Sequence, residues 1–180
     1  MITTTAVKKL LRRFARKTDG NVLMEAAMVF PILVVMLMGT VDAGRALLVN
    51  KNLVTAAHMT ADLIARENSI NDSRLAEYTE AGRLGLQPFP TGSYGIDIVG
   101  VRFEGPQETP VIAWRETSGM PPISDVLSRA EGLGRQNEGV IVVTAAYSYQ
   151  PRFFDIFKSS IEMRETAFAR GRDTAFIARE

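Results

Sequence analysis

From Val22 to Val41 the chain runs for 20 residues with one charge, Glu25. At ~1.5 Å per residue such a helix is about 30 Å long, the hydrocarbon thickness of a bilayer. A stretch of this kind puts its two flanks on opposite sides of a membrane. The basic residues set the direction. Residues 1–20 hold Lys8, Lys9, Arg12, Arg13, Arg16 and Lys17 against Asp19, a net +5, whereas the remainder carries −4. An apolar run behind a basic end inserts with that end in the cytoplasm. No comparable basic cluster recurs downstream, so a nucleic-acid partner is not expected.

Glu25 is the anomaly. A carboxylate inside a membrane helix costs on the order of 2.5–3.5 kcal/mol even on lenient insertion scales. One reading leaves it at the interface, snorkelling toward headgroups. A second starts from Gly20. A protease cut after Gly20 would release the basic leader and create an α-amine on Asn21. Glu25 would then lie one helical turn on, placed to pair with that amine within a chain or between staggered chains. Pro31 removes a backbone hydrogen bond inside the span and predicts a kink. Gly39 offers flexibility or close approach to another helix. A cleaved secretory signal ending near Ala43 is the competing reading of the run, which is longer than a usual signal core.

Leader and helix tail both show helical spacing. Val7, Leu10, Leu11 and Phe14 share a face in the leader, which suits either a solvated arm or an amphipathic helix on anionic lipid. Beyond the span, Leu47, Val49, Leu53, Ala56, Ala57, Thr60, Leu63 and Ile64 form a stripe. Arg45, Lys51, Asn52, His58, Asp62 and Arg66 lie off it. No Pro or Gly interrupts Arg45–Glu67, so one helix over 21–67 is expected, with His58 on its surface.

A short helix, Arg74 to about Leu84, capped by Asp72 or Ser73, follows. The remainder alternates with a period of two. Tyr94, Ile96 and Ile98 alternate, then Val101 and Phe103 in the opposite register, which predicts a bulge near Val99-Gly100. Val111–Glu116 is a second strand. Ser124 is placed to cap a short helix over Asp125–Glu131. Val140–Tyr149, apolar on both faces at its start, is expected to be central with one face on the long helix. An aromatic cluster, Phe153-Phe154-Asp155-Ile156-Phe157, precedes a returning strand over Ile161–Arg170. The fold class is therefore α+β: a long N-terminal transmembrane and amphipathic helix packed on a small antiparallel β-sheet.

Sets that carry catalysis are missing from the pattern. There is no Gly-x-Ser-x-Gly, no phosphate loop and no dinucleotide fingerprint. The chain has no cysteine and one histidine, which leaves no thiolate chemistry and no multi-histidine metal site. Neither a catalytic residue, a metal site nor a cofactor is expected.

Gly20-Asn21-Val22-Leu23-Met24-Glu25 ahead of a hydrophobic helix is similar to the class III signal of type IV pilins and pseudopilins. The longer stretch to Pro31, followed by Asp42-Ala43-Gly44-Arg45 after the span, resembles the TadE-like family of the tight-adherence (Flp) pilus system. The resemblance is close over residues 16–66. It implies a pilin-like fold and a cut between Gly20 and Asn21 by prepilin peptidase. It also implies an assembly contact by Glu25, and partners among other pilins, pseudopilins and the pilus assembly platform. Two departures separate the chain from major Flp pilins. Glu25 is followed by Ala26 instead of Tyr, and 160 residues would remain after the cut. Both point to a minor pseudopilin or assembly component.

The expected organisation is a cytoplasmic leader over 1–20, a long helix over 21–67 with its span at about 22–41, and a periplasmic α+β domain over 68–180. This places the chain in a bacterial inner membrane as a single-pass, non-enzymatic protein, pilus-associated through its partners. The rival readings are an uncleaved membrane-anchored binding or sensor domain and an anchored envelope enzyme.

Overall fold

The computed structural model describes residues 19–153 and 160–180, with side chains from Val22 onward. The leader face Val7–Phe14 and most of the aromatic cluster, from Phe154 on, lie outside the described residues. Chain contacts divide at Ala43/Gly44 into two compact units.

Helix α1 runs Asp19–Ile64 and passes through both units. It begins two residues before the expected Asn21 and ends three before Glu67. In the first unit its large apolar residues are exposed on every side, Met28, Val29 and Phe30 in succession and then Val35 to Met38. A helix apolar all round is built for lipid or for a core, and the best membrane-length window here is 0% buried.

The second unit buries one stripe of α1 instead. Val49, Leu53, Ala56, Ala57, Ala61 and Ile64 enter the core at 0–1% exposure. The spacing of three and four residues is that of one helix face, and the alanines let the backbone approach the sheet closely. His58 is exposed, as expected. Leu47 departs from the expected stripe. It is 73% exposed, because at two residues before Val49 it points some 200° around the helix from that core residue.

The sheet has four antiparallel strands in the order β3-β2-β4-β5. They are β2 (Tyr94–Glu104), β3 (Thr109–Ser118), β4 (Gly139–Tyr149) and β5 (Ile161–Ala169). Two separate cores occupy its two faces. Ile96, Ile98, Ile141, Val143 and Ala145 pack with α1. Val99, Val101, Phe103, Val140 and Val142 pack on the other face with the short helix α3 (Val126–Ala130). This explains the change of alternation within β2. The even residues serve the α1 core and the odd ones the second core, so no turn of the strand is needed. A register shift does occur, between Gly100 and Val101, and the extra residue, Ala113, belongs to β3.

Local capping differs from expectation in two places. Helix α2 (Asp72–Leu84) is capped by Asn71, whose Oδ1 accepts from the Arg74 N–H at 3.0 Å. Asn71 is extended and so aims its side chain back at the first turn, whereas Asp72 is already helical. Asp125, not Ser124, stands at the start of α3, and its carboxylate instead receives Arg129 Nε at 2.9 Å.

A strap from the carboxy-terminal region closes the second unit. Strand β6 (Ala178–Arg179) pairs in parallel with β1 (Ser69–Ile70), immediately after α1. Arg172 N–H donates to Ala65 O at 3.0 Å and Glu180 N–H to Ile70 O at 2.9 Å. The Trp114 indole N–H reaches Ile177 O at 2.8 Å from β3. Its ring lies over Gly100, where an added Cβ would meet indole atoms at 2.3 and 2.4 Å. Only glycine leaves room for that ring.

Candidate functional site

All the sequence-predicted site residues lie on α1, strung along its axis. The backbone of Gly20 and Asn21 is already helical. Glu25 follows, exposed among exposed Val22, Leu23, Met24 and Met28. Pro31 stands inside the helix. Asp42 is 6% exposed, the one buried acid of this stretch. A Cβ at Gly44 would meet nothing within 4 Å, so this glycine is not required for packing within the chain. From Gly20 to Arg45 the helix covers about 37 Å at ~1.5 Å per residue. These residues are therefore spread along one helix and do not converge on a single site.

A carboxylate at Glu25 is unusual for such a surface. Among the described residues from Asp19 to Val29 there is no Lys, Arg or His beside it.

The family model described as TadE-like protein matches residues 20–62. The amino-terminal segment is similar to that family. The match starts at Gly20 and stops two residues short of the end of α1, so it covers both the apolar run and the stripe beneath the sheet. It takes in roughly a quarter of the chain. No curated protein and no solved structure matches the chain. The similarity is accordingly confined to α1, and the domain that covers the second half of this helix stands on its own structure.

That domain holds polar sites that the sequence did not announce. Asp97 is 1% exposed on β2. Its carboxylate takes both arms of the Arg115 guanidinium, with Nε at 2.8 Å, and the Thr117 hydroxyl at 2.8 Å. It also accepts the Ile123 N–H at 3.0 Å, while Arg115 Nη2 donates to Ile123 O at 2.8 Å. Burial pushes this carboxyl up, but the hydrogen bonds from Arg115, Ile123 and Thr117 outweigh it and hold it below the ordinary carboxylate range. Every lone pair has a donor, so the cluster is a fastening between the sheet and the loop before α3, not a poised acid or base.

A second feature is a groove of about 370 Å³ at the start of the second unit, lined by Arg45, Phe89, Pro90, Gly92, Ser93, Tyr147, Ser148, Tyr149, Gln150 and Arg152. Its walls are tied together. The Tyr147 hydroxyl donates to Pro90 O at 2.9 Å and Ser93 Oγ to Ser148 O at 3.0 Å. Arg45 was expected as a family residue after the span; its place in a groove with residues a hundred positions away was not legible. Among the described residues no group of three or more His, Cys, Asp or Glu is arranged to hold a metal ion.

Proposed function

We propose that this chain is a minor pseudopilin or assembly component of a tight-adherence (Flp, type IV) pilus or a related secretion machine. One observation supports it most: a helix that matches the TadE-like model from Gly20 onward is exposed and apolar all round over Val22–Val41, with one carboxylate there. A membrane-length surface of this kind suits lipid first and neighbouring helices second. Its role is structural, not catalytic. The chain sits in the inner membrane with residues 1–20 in the cytoplasm and the sheet domain in the periplasm. Prepilin peptidase removes the leader between Gly20 and Asn21. Glu25 then draws the helix to other pilins or to the assembly platform.

Intact mass of the protein from cells that contain prepilin peptidase tests this reading. The expected chain begins at Asn21, and Gly20→Trp keeps the leader on. A chain that retains residues 1–20 in such cells overturns the processing step and leaves an uncleaved, membrane-anchored binding or sensor domain as the better description.

A further inference from the structure

The groove that contains Arg45 has chemistry the pilus reading does not use. Its lining carries two arginines and no acid. Arg152 already has an interaction of its own. Arg45 has no hydrogen-bond or ion-pair partner among the described residues, although it is half-buried. Asp42, one turn earlier on α1, is buried and has an interaction of its own. An arginine held beside aromatic walls without a carboxylate is a site short of an anion.

Chain connectivity says which anion is at hand. The apolar run ends at Val41, and Arg45 follows four residues later on the same helix. At ~1.5 Å per residue it lies about 6 Å beyond the hydrocarbon edge. The polar layer of a bilayer is about 5–7 Å deep on each side. Arg45 therefore falls at the depth of the lipid phosphates. Phe89 lines the groove, and Phe153, next after Arg152, is 45% exposed; aromatic rings suit this interfacial layer.

We infer that the groove of Arg45, Phe89, Ser93, Ser148 and Arg152 seats the phosphodiester of a phospholipid in the leaflet where α1 emerges. Arg45 donates to the phosphate oxygens, and the rings lie against the glycerol and upper acyl region. The two wall hydrogen bonds, Tyr147 to Pro90 and Ser93 to Ser148, hold the groove open before lipid arrives. The seat would hold the subunit at the membrane until it is withdrawn. This inference rests on the membrane-spanning reading of α1.

Native mass spectrometry of the full chain in a mild detergent tests it, with dioleoylphosphatidylglycerol as the probe and dioleoylphosphatidylcholine and inorganic phosphate as comparators. Phosphatidylglycerol is expected to remain bound, and inorganic phosphate at equal concentration is not expected to displace it. Arg45→Gln should lower lipid occupancy about fivefold, whereas Lys51→Gln, exposed on α1 outside the groove, should leave it unchanged. Gly92→Asp supplies an independent variant. A Cβ there meets nothing within 4 Å, so it adds a negative charge to the groove without disturbing the fold, and it should lower occupancy similarly. Unchanged binding in Arg45→Gln and Gly92→Asp overturns the seat. Equal loss in Lys51→Gln reduces it to diffuse attraction, and displacement by inorganic phosphate makes it a site for free anions; either result overturns it too. A chain recovered from cells without detergent would instead overturn the membrane reading, a separate outcome.

Discussion

Asp97 and Arg115 meet across adjacent strands through a two-armed ion pair, on the sheet face away from α1, with Asp97 side chain at 1% and Arg115 at 23% exposure. Arg115 is paired opposite Val99 and reaches diagonally to Asp97. The carboxylate simultaneously accepts the Ile123 N–H. One acid thus binds two strands and the following loop.

Asp97→Asn keeps the shape and removes the charge, leaving the Arg115 guanidinium without its counter-ion. The expected loss is about 3 kcal/mol of stability, since breaking one side of a buried pair strands the other. Denaturant unfolding of the full chain in detergent at neutral pH, followed through Trp114 fluorescence, measures it.

The same pair sets an acid limit. The Asp97 carboxyl is held below its ordinary 3.8 in the folded chain. Its contribution to stability is therefore complete above that value and drains as pH falls from there toward the folded value. Unfolding midpoints between pH 5 and 2.5 should fall more steeply in the parent than in Asp97→Asn. Parallel slopes would show that other carboxylates dominate.

Gly100→Ala forces the Trp114 ring aside. The indole is then expected to leave Ile177 O, at a cost of about 1–3 kcal/mol for overpacking. Trp114 is the only tryptophan, so its emission reports the event directly. A red shift with a lowered midpoint is expected.

Gly82→Ala sets two effects against each other. Alanine gains about 1 kcal/mol in helix propensity. The new Cβ, however, would stand 2.7 Å from both Thr60 Oγ1 and the Tyr94 hydroxyl, and the Tyr94 ring is fixed in the core. Overpacking of about 1–3 kcal/mol should win, so the variant is expected to melt lower than the parent despite its better helix former.

Glu25→Ala should insert normally, because it removes a charge from the span. Its co-purification with other pilins should drop about five- to tenfold, as expected for losing one polar contact between helices in lipid. Undiminished co-purification would remove the assembly role from this residue.

Much of the architecture was legible because period and length are strong signals. Val22–Val41 announces a span, and the run Val140 to Tyr149 announces a strand buried on both faces. Within β2 the expected irregularity is present between Gly100 and Val101, but a single strand does not reveal that two cores lie on opposite sides of it. The Asp97 cluster was invisible for another reason. Its partners stand 18, 20 and 26 positions away, and only strand pairing brings them together. The pairing of β1 with β6 involves two residues a side, too short for any periodicity. For the candidate site, Gly20, Glu25, Asp42, Gly44 and Arg45 form a local motif and could be read off the chain. The groove around Arg45 is assembled from residues near 90 and 150 and could not.

The strap that ends in β6 also constrains the order in which the domain is made. Residues 172–179 are synthesised more than a hundred positions after Ala65 and Ile70, yet these earlier residues receive their backbone partners from them. Until the late segment emerges, the end of α1 and the Trp114 indole lack their carbonyl and amide partners. The apolar run can therefore enter a bilayer early in translation, while the sheet domain cannot lock until the chain behind it has been delivered. If the apolar run spans a membrane, its entry and the closure of the domain are separated in time, and a stall between residues 150 and 170 would leave an anchored chain with an unfinished fold.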